Sequence, residues 1–144
     1  MEIVMKVEVR SRQTVNQWDS DGDVAVISVS DPDLDHPFLA ERPNLKEVLR
    51  LTFHDVDASE VGENSPFNHR LMTDEDGKRI AEFVEKHKDV DLMIAQCDAG
   101  ICRSSGIAAA ILMHLTGDDS TIFNDRRYYP NRWVYKKTLE ALRN

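Results

Sequence analysis

From Ile3 to Val9 apolar and polar residues alternate, with Ile3, Met5, Val7 and Val9 on one side, which is the period of a β-strand. Val24 to Val29 is instead a nearly continuous apolar, β-branched run that stops at Asp31-Pro32, as expected of a parallel strand buried on both faces. Between them, Thr14 to Trp18 reads as a short helix. Residues 31 to 45 hold three prolines and read as a loop. Val48 to Phe53 is a third strand, and it delivers the chain to His54-Asp55-Val56-Asp57. A long loop with Gly62 and Pro66 follows, and loops of that length are often functional.

Thr73 opens a helix, with Asp76 placed to complete a capping box and Ile80, Phe83, Val84 and His87 as its inward stripe. Leu92 to Ala95 is short, apolar and suited to the centre of a sheet. Ser104 to Leu115 is apolar nearly all round, predicting a helix packed inside the domain and ended by Gly117. Asp118 or Asp119 caps a short helix running to about Tyr128. Pro130 begins a last helix with Tyr135, Leu139 and Leu142 inward. Strands separated by helices predict an α/β fold with a mostly parallel central sheet flanked by helices. In such sheets the binding crevice lies outside the carboxyl ends of the strands, which puts the loops after Val24–Val29, Val48–Phe53 and Leu92–Ala95 on one edge.

At 144 residues the chain is expected to form a single domain, 1–144, with a core that needs no disulfide or metal. A net charge of −8, from 26 acidic and 18 basic residues, argues against a nucleic-acid partner and against an anionic membrane surface. No apolar run is long enough to span a bilayer and the N-terminus does not read as a signal peptide, so the expected location is the cytoplasm. A monomer is the default. One basic island, Arg126, Arg127, Arg132, Lys136 and Lys137, fits either a solvated face or a role in steering substrates.

The chemistry concentrates in Cys97-Asp98-Ala99-Gly100-Ile101-Cys102-Arg103-Ser104, between the central strand and the most buried helix. Amides of a loop curling into a helix N-terminus point inward, and the helix dipole adds positive potential, so Asp98, Ala99, Gly100, Ile101, Cys102 and Arg103 form a nest for a phosphate dianion. Arg103 can grip two phosphate oxygens with its planar fork. The same field favours a thiolate, which makes Cys97 the candidate nucleophile. Ser104 can donate its hydroxyl to the sulfur when that thiolate must leave. A departing alkoxide or phenoxide needs a proton, and Asp55 is the preferred general acid, with Asp57 as the alternative and a turn-capping role for the other.

These residues resemble a known family. The Cys-x5-Arg-Ser string of residues 97 to 104, preceded by a strand ending in Leu51-Thr52-Phe53-His54-Asp55, a helix and a strand, looks like the protein tyrosine and dual-specificity phosphatase superfamily. Ala25-Val26-Ile27-Ser28-Val29 and Tyr129-Pro130-Asn131-Arg132 are similar to a compact bacterial and phage group within it. The resemblance implies a phosphocysteine intermediate, an aspartic general acid, no metal and no cofactor. Two positions depart from the pattern: Gln96 stands where the family usually has His, and Cys102 where a small residue is usual. The low-molecular-weight phosphatases share the Cys-x4-Cys-Arg-Ser string but carry it near the N-terminus, so that fold is rejected. Their spacing implies that Cys97 and Cys102 can close a reversible disulfide.

The sequence therefore points to metal-independent hydrolysis of phosphomonoesters, phosphotyrosine or similar, on a phosphorylated protein or a small phosphoester. A phosphate-binding module with little or no turnover is the alternative, kept open by Gln96. A metallohydrolase built on His36, His54, Asp55, Asp57 and His69 is disfavoured, because no two of these histidines have a helical i, i+4 spacing.

Overall fold

The computed structural model describes residues 5–57 and 69–144, so Ile3 of the first expected strand and Gly62 and Pro66 of the long loop lie outside the described residues. Four strands, β1 (Lys6–Arg10), β2 (Val24–Ser30), β3 (Leu45–Thr52) and β4 (Leu92–Gln96), form one sheet in the order β1-β4-β2-β3. Every pairing is parallel, with Val9 opposite Ala95, Ile27 opposite Ala95 and Ile27 opposite Leu49. All four carboxyl ends thus share one edge. β4 is interior, as its short apolar sequence predicts, and β2 beside it is buried along its whole length.

Among the described residues there are four helices: α1 (Asp74–Lys86) between β3 and β4, then α2 (Arg103–Thr116), α3 (Ser120–Phe123) and α4 (Arg132–Arg143). On β2 the side chains divide by parity. Ala25, Ile27 and Val29 join the core with Ile80 and Phe83 of α1, Ile107 and Ile111 of α2, and Trp133 and Val134 of α4. Val24 and Val26 face the other way, against Val15, Trp18 and Ile94. The helices therefore contribute to one core, and the second face is covered by the chain between β1 and β2, with Arg42 stacked 3.4 Å over the Trp18 ring.

That covering segment corrects the expected helix at Thr14 to Trp18. Val15 and Trp18 are both buried, three residues apart, as on a helix, but residues 12–16 form turns. Ser11 N–H donates to the Thr14 hydroxyl and Thr14 N–H to the Ser11 hydroxyl, so the two side chains take the bonds a helix would need. β3 starts at Leu45, earlier than Val48, because an edge strand tolerates the charged Lys46 and Glu47. α3 stops at Phe123, well before Tyr128, where the Asp125 carboxylate accepts the Arg127 N–H in a tight turn.

The Thr73–Asp76 capping box forms as predicted. His87, expected in the inward stripe of α1, is its half-buried C-cap and bonds Glu47. The last helix begins at Arg132 rather than Pro130, with Asn131 as N-cap, and buries Trp133, Val134, Thr138 and Leu139, while Tyr135 and Leu142 are half-buried. Among the described residues no helix is long and apolar enough to cross a membrane.

Candidate active site

Cys97 follows the last residue of β4 and is 1% exposed. The loop it opens is fastened to the end of β1 by two backbone bonds, Cys97 N–H to Arg10 O and Arg12 N–H to Asp98 O. Gly100 sits at φ 70°, and a Cβ there would meet the Ser11 backbone nitrogen at 2.8 Å. Only glycine meets both demands, the left-handed turn and the close approach. The chain then enters α2 at Arg103. Cys97 Sγ and the buried Ser104 Oγ are 3.0 Å apart.

Arg103 is 5% exposed, and the segments that follow β2, β3 and β4 supply its partners. Nη1 donates to Asp31 Oδ1 after β2 and to Phe53 O after β3, both at 2.8 Å. Nη2 donates to Asp98 Oδ2 at 3.3 Å. Its Nε–H is buried with no protein acceptor. A buried donor of that kind costs free energy until an acceptor arrives, on the order of 1–3 kcal/mol. Asp98 is itself held from two sides, by Arg12 Nε at 3.0 Å and by the Asp31 backbone N–H at 2.9 Å. Arg12 also reaches the Asp35 carbonyl, tying the loop after β2 over the same edge.

The two candidate acids separate. Asp55 Oδ1 accepts from Asn131 Nδ2 at 2.9 Å, and the charge of the same carboxylate bears on the Cys102 thiol. Asp57 turns to α4, where it accepts the Arg132 and Trp133 N–H groups at 3.1 and 3.2 Å. That is a helix N-terminal contact, favoured by the dipole. The residues of the metal reading also part company. His36 Nε2 lies against the Thr52 hydroxyl, and His54 Nδ1 accepts the Arg70 N–H while its ring packs on His69. Among the described residues no three His, Cys, Asp or Glu side chains could hold a metal ion.

No protein-family model matches the sequence, and no curated protein matches it. Solved structures do. Human DUSP28 superposes with a TM-score of 0.61 over 99% of this chain and 94% of its own, at 13% identity. Tk-PTP in its active form gives 0.55 over 98% and 93%, at 16% identity. PTPMT1 in complex with PI(5)P gives 0.53 over 83% and 77%, at 14% identity. The chain has the protein tyrosine and dual-specificity phosphatase fold.

Within this phosphatase fold, three residues around the loop were given no site role by the sequence: Arg12, Asp31 and Asn131. Asp31 was visible only as the end of a buried strand. Asn131 had a usable signal, an Asn directly before an amphipathic run, but Pro130 drew the helix start toward itself. Gln96 is fully buried and accepts the Ser28 hydroxyl proton, which links β4 to β2 beneath the site. Cys102 is half-buried; burial first, then the Asp55 carboxylate, pushes its thiol up to about 11. It is therefore a neutral thiol near neutral pH. The loop carbonyls of Ile101 and Cys102 accept the backbone N–H groups of Tyr129 and Asn131, so the segment before α4 braces the loop from outside.

Proposed function

We propose that the chain hydrolyses phosphomonoesters, with phosphotyrosine or a similar aryl phosphate as substrate, through a phosphocysteine on Cys97 and without a metal. The observation that carries this reading is the pairing of a buried Cys97–Ser104 contact with an Arg103 whose Nε–H is buried and unmatched beside Asp98 and Asp31. A phosphoryl oxygen would satisfy that donor, while Nη1 stays anchored to Asp31 and Phe53 O.

In the first step the Cys97 thiolate attacks phosphorus, the bond to the ester oxygen breaks, and that oxygen takes the carboxyl proton of Asp55. In the second, water attacks the phosphocysteine, Asp55 takes a water proton, and sulfur leaves as a thiolate stabilised by the Ser104 hydroxyl. Arg103 and the loop amides hold the equatorial oxygens in both steps.

The preference for an aryl ester is supported by what surrounds the loop. Large apolar side chains are left exposed on and beside the loop: Ile101 within it, Tyr129, whose N–H donates to the Ile101 carbonyl, and Leu34, whose N–H donates to the carbonyl of Asp31. Tyr129 is 70% exposed and Ile101 41%. Such a rim suits a phenyl ring better than a short alkyl chain.

Capture of phosphate without turnover is the second reading, favoured by Gln96, whose buried Nε2 has no partner directly before Cys97. Hydrolysis of an aryl phosphate by the wild type, abolished in Cys97→Ser while phosphate still protects the variant against thermal unfolding, supports the phosphatase. Binding with no wild-type turnover supports the module instead.

A further inference from the structure

We propose that Asn131 is a positioning residue that aims the general acid at the phosphate loop, an inference that rests on Asp55 being that acid. Asn131 is 4% exposed and uses every polar group it has. Its backbone N–H donates to Cys102 O at 2.9 Å, which fixes it to the phosphate loop. Its side-chain oxygen accepts the Val134 N–H at 3.0 Å as the N-cap of α4. Because an amide N–H can meet only an oxygen there, the side chain cannot flip, and its NH2 must face Asp55, 2.9 Å away. Its backbone oxygen lies so near Gly106 of α2 that a Cβ at Gly106 would come within 2.8 Å of it.

One residue thus joins the acid loop, the phosphate loop and two helices. Among the described residues the other groups around Asp55 do not duplicate this. On the phosphate loop the nearest titratable group is the neutral Cys102 thiol, which the Asp55 charge helps to keep protonated. On its own loop, His54 is turned to Arg70 and Asp33, and Asp57 to the start of α4. Arg132, the first residue of α4, is exposed and meets Asp57 through its backbone. Among the described residues the hydrogen bond to the carboxylate comes from Asn131, which is itself locked from three directions.

The chemistry of the cap supplies a clean test. Asp caps a helix as well as Asn does, so Asn131→Asp keeps the α4 cap and the fold but sets a second carboxylate against Asp55. Two carboxylates sharing a site raise the pKa of one of them. Carboxyl-carbon NMR titration should show the Asp55 midpoint moved up by about one pH unit or more, in protein that need not turn over. The alkaline limb of kcat/KM for an alkyl phosphate should move up with it. Asn131→Ser keeps a capping oxygen but loses the amide donor, and should lower the ratio of alkyl to activated-aryl kcat/KM by roughly tenfold. Asn131→Ser decides the matter if Asn131→Asp does not fold. An Asp55 titration and an alkyl-to-aryl ratio equal to wild type would reduce Asn131 to a helix cap. If instead Asp55 titration moves but Asp55→Asn leaves the alkyl-to-aryl ratio untouched, the acid assignment has failed, and the positioning role falls with it.

Discussion

Asp31 holds Arg103: its Oδ1 lies 2.8 Å from the guanidinium Nη1, and the two residues stand 72 positions apart in the chain. The contact fixes the fork of the arginine, and it also sets a negative charge beside the place where a dianion binds. These two effects oppose each other. Asp31→Asn separates them, because an amide oxygen can still accept from Nη1 while the charge is gone.

Asp31→Asn should therefore bind inorganic phosphate more tightly, with a product-inhibition constant lower by roughly tenfold. Its kcat should fall only modestly, since the fork stays anchored by Phe53 O. Weaker phosphate inhibition in this variant would mean that orientation, not charge, is what Asp31 contributes.

The acid assignment makes Asp55 and Asp57 behave differently despite their two-residue separation. Asp55→Asn should cost roughly 10²–10⁴ in kcat/KM on an alkyl phosphate and far less on an activated aryl phosphate, whose leaving group needs no proton. Its alkaline limb should flatten. Asp57→Ala should instead cost about 1 kcal/mol of stability through the lost α4 contacts, with the alkyl-to-aryl ratio retained. The opposite pattern would exchange the two roles.

Gly100→Ala places a Cβ at φ 70° against the Ser11 backbone. Backbone there cannot yield as a flexible side chain would, so the phosphate loop must open. Calorimetry should show a loss of at least about 1 kcal/mol, and the stabilisation by added phosphate should vanish. Retained phosphate protection would show that the loop adapts.

The redox expectation changes in one respect. A disulfide between Cys97 and Cys102 needs the Cys102 thiolate to attack an oxidised Cys97, and that thiol is pushed up to about 11 by burial and by Asp55. Closure after peroxide should be slow at neutral pH and quicken about tenfold per pH unit through the range below 11. Asp55→Asn, which removes a charge opposing the thiolate, should close faster at any one pH. Mass mapping of the linked peptide measures both, and a rate independent of pH would contradict this.

The local part of the site was legible in the sequence: Cys97, Gly100, Arg103 and Ser104 lie in one short string, and the Thr73–Asp76 cap and the buried run at Val24 follow local rules. What escaped were contacts between distant segments. Arg12 meets Asp98 across 86 positions and Asn131 meets Asp55 across 76, and no periodicity encodes such pairs. The misread turn at Thr14 has the same origin. Val15 and Trp18 are spaced as on a helix because both must cover the sheet, while the backbone there is decided by two hydroxyls.

The central claim is a covalent bond between phosphorus and Cys97 Sγ, and rapid acid quenching tests it most directly. Wild-type protein mixed with an aryl phosphate and quenched within a turnover should carry the mass of one phosphoryl group on the peptide containing Cys97. Asp55→Asn should carry more of it, because hydrolysis of the intermediate then lacks its base. Turnover with no phosphoryl group on Cys97 in either protein, or full activity in Cys97→Ser, would contradict the mechanism.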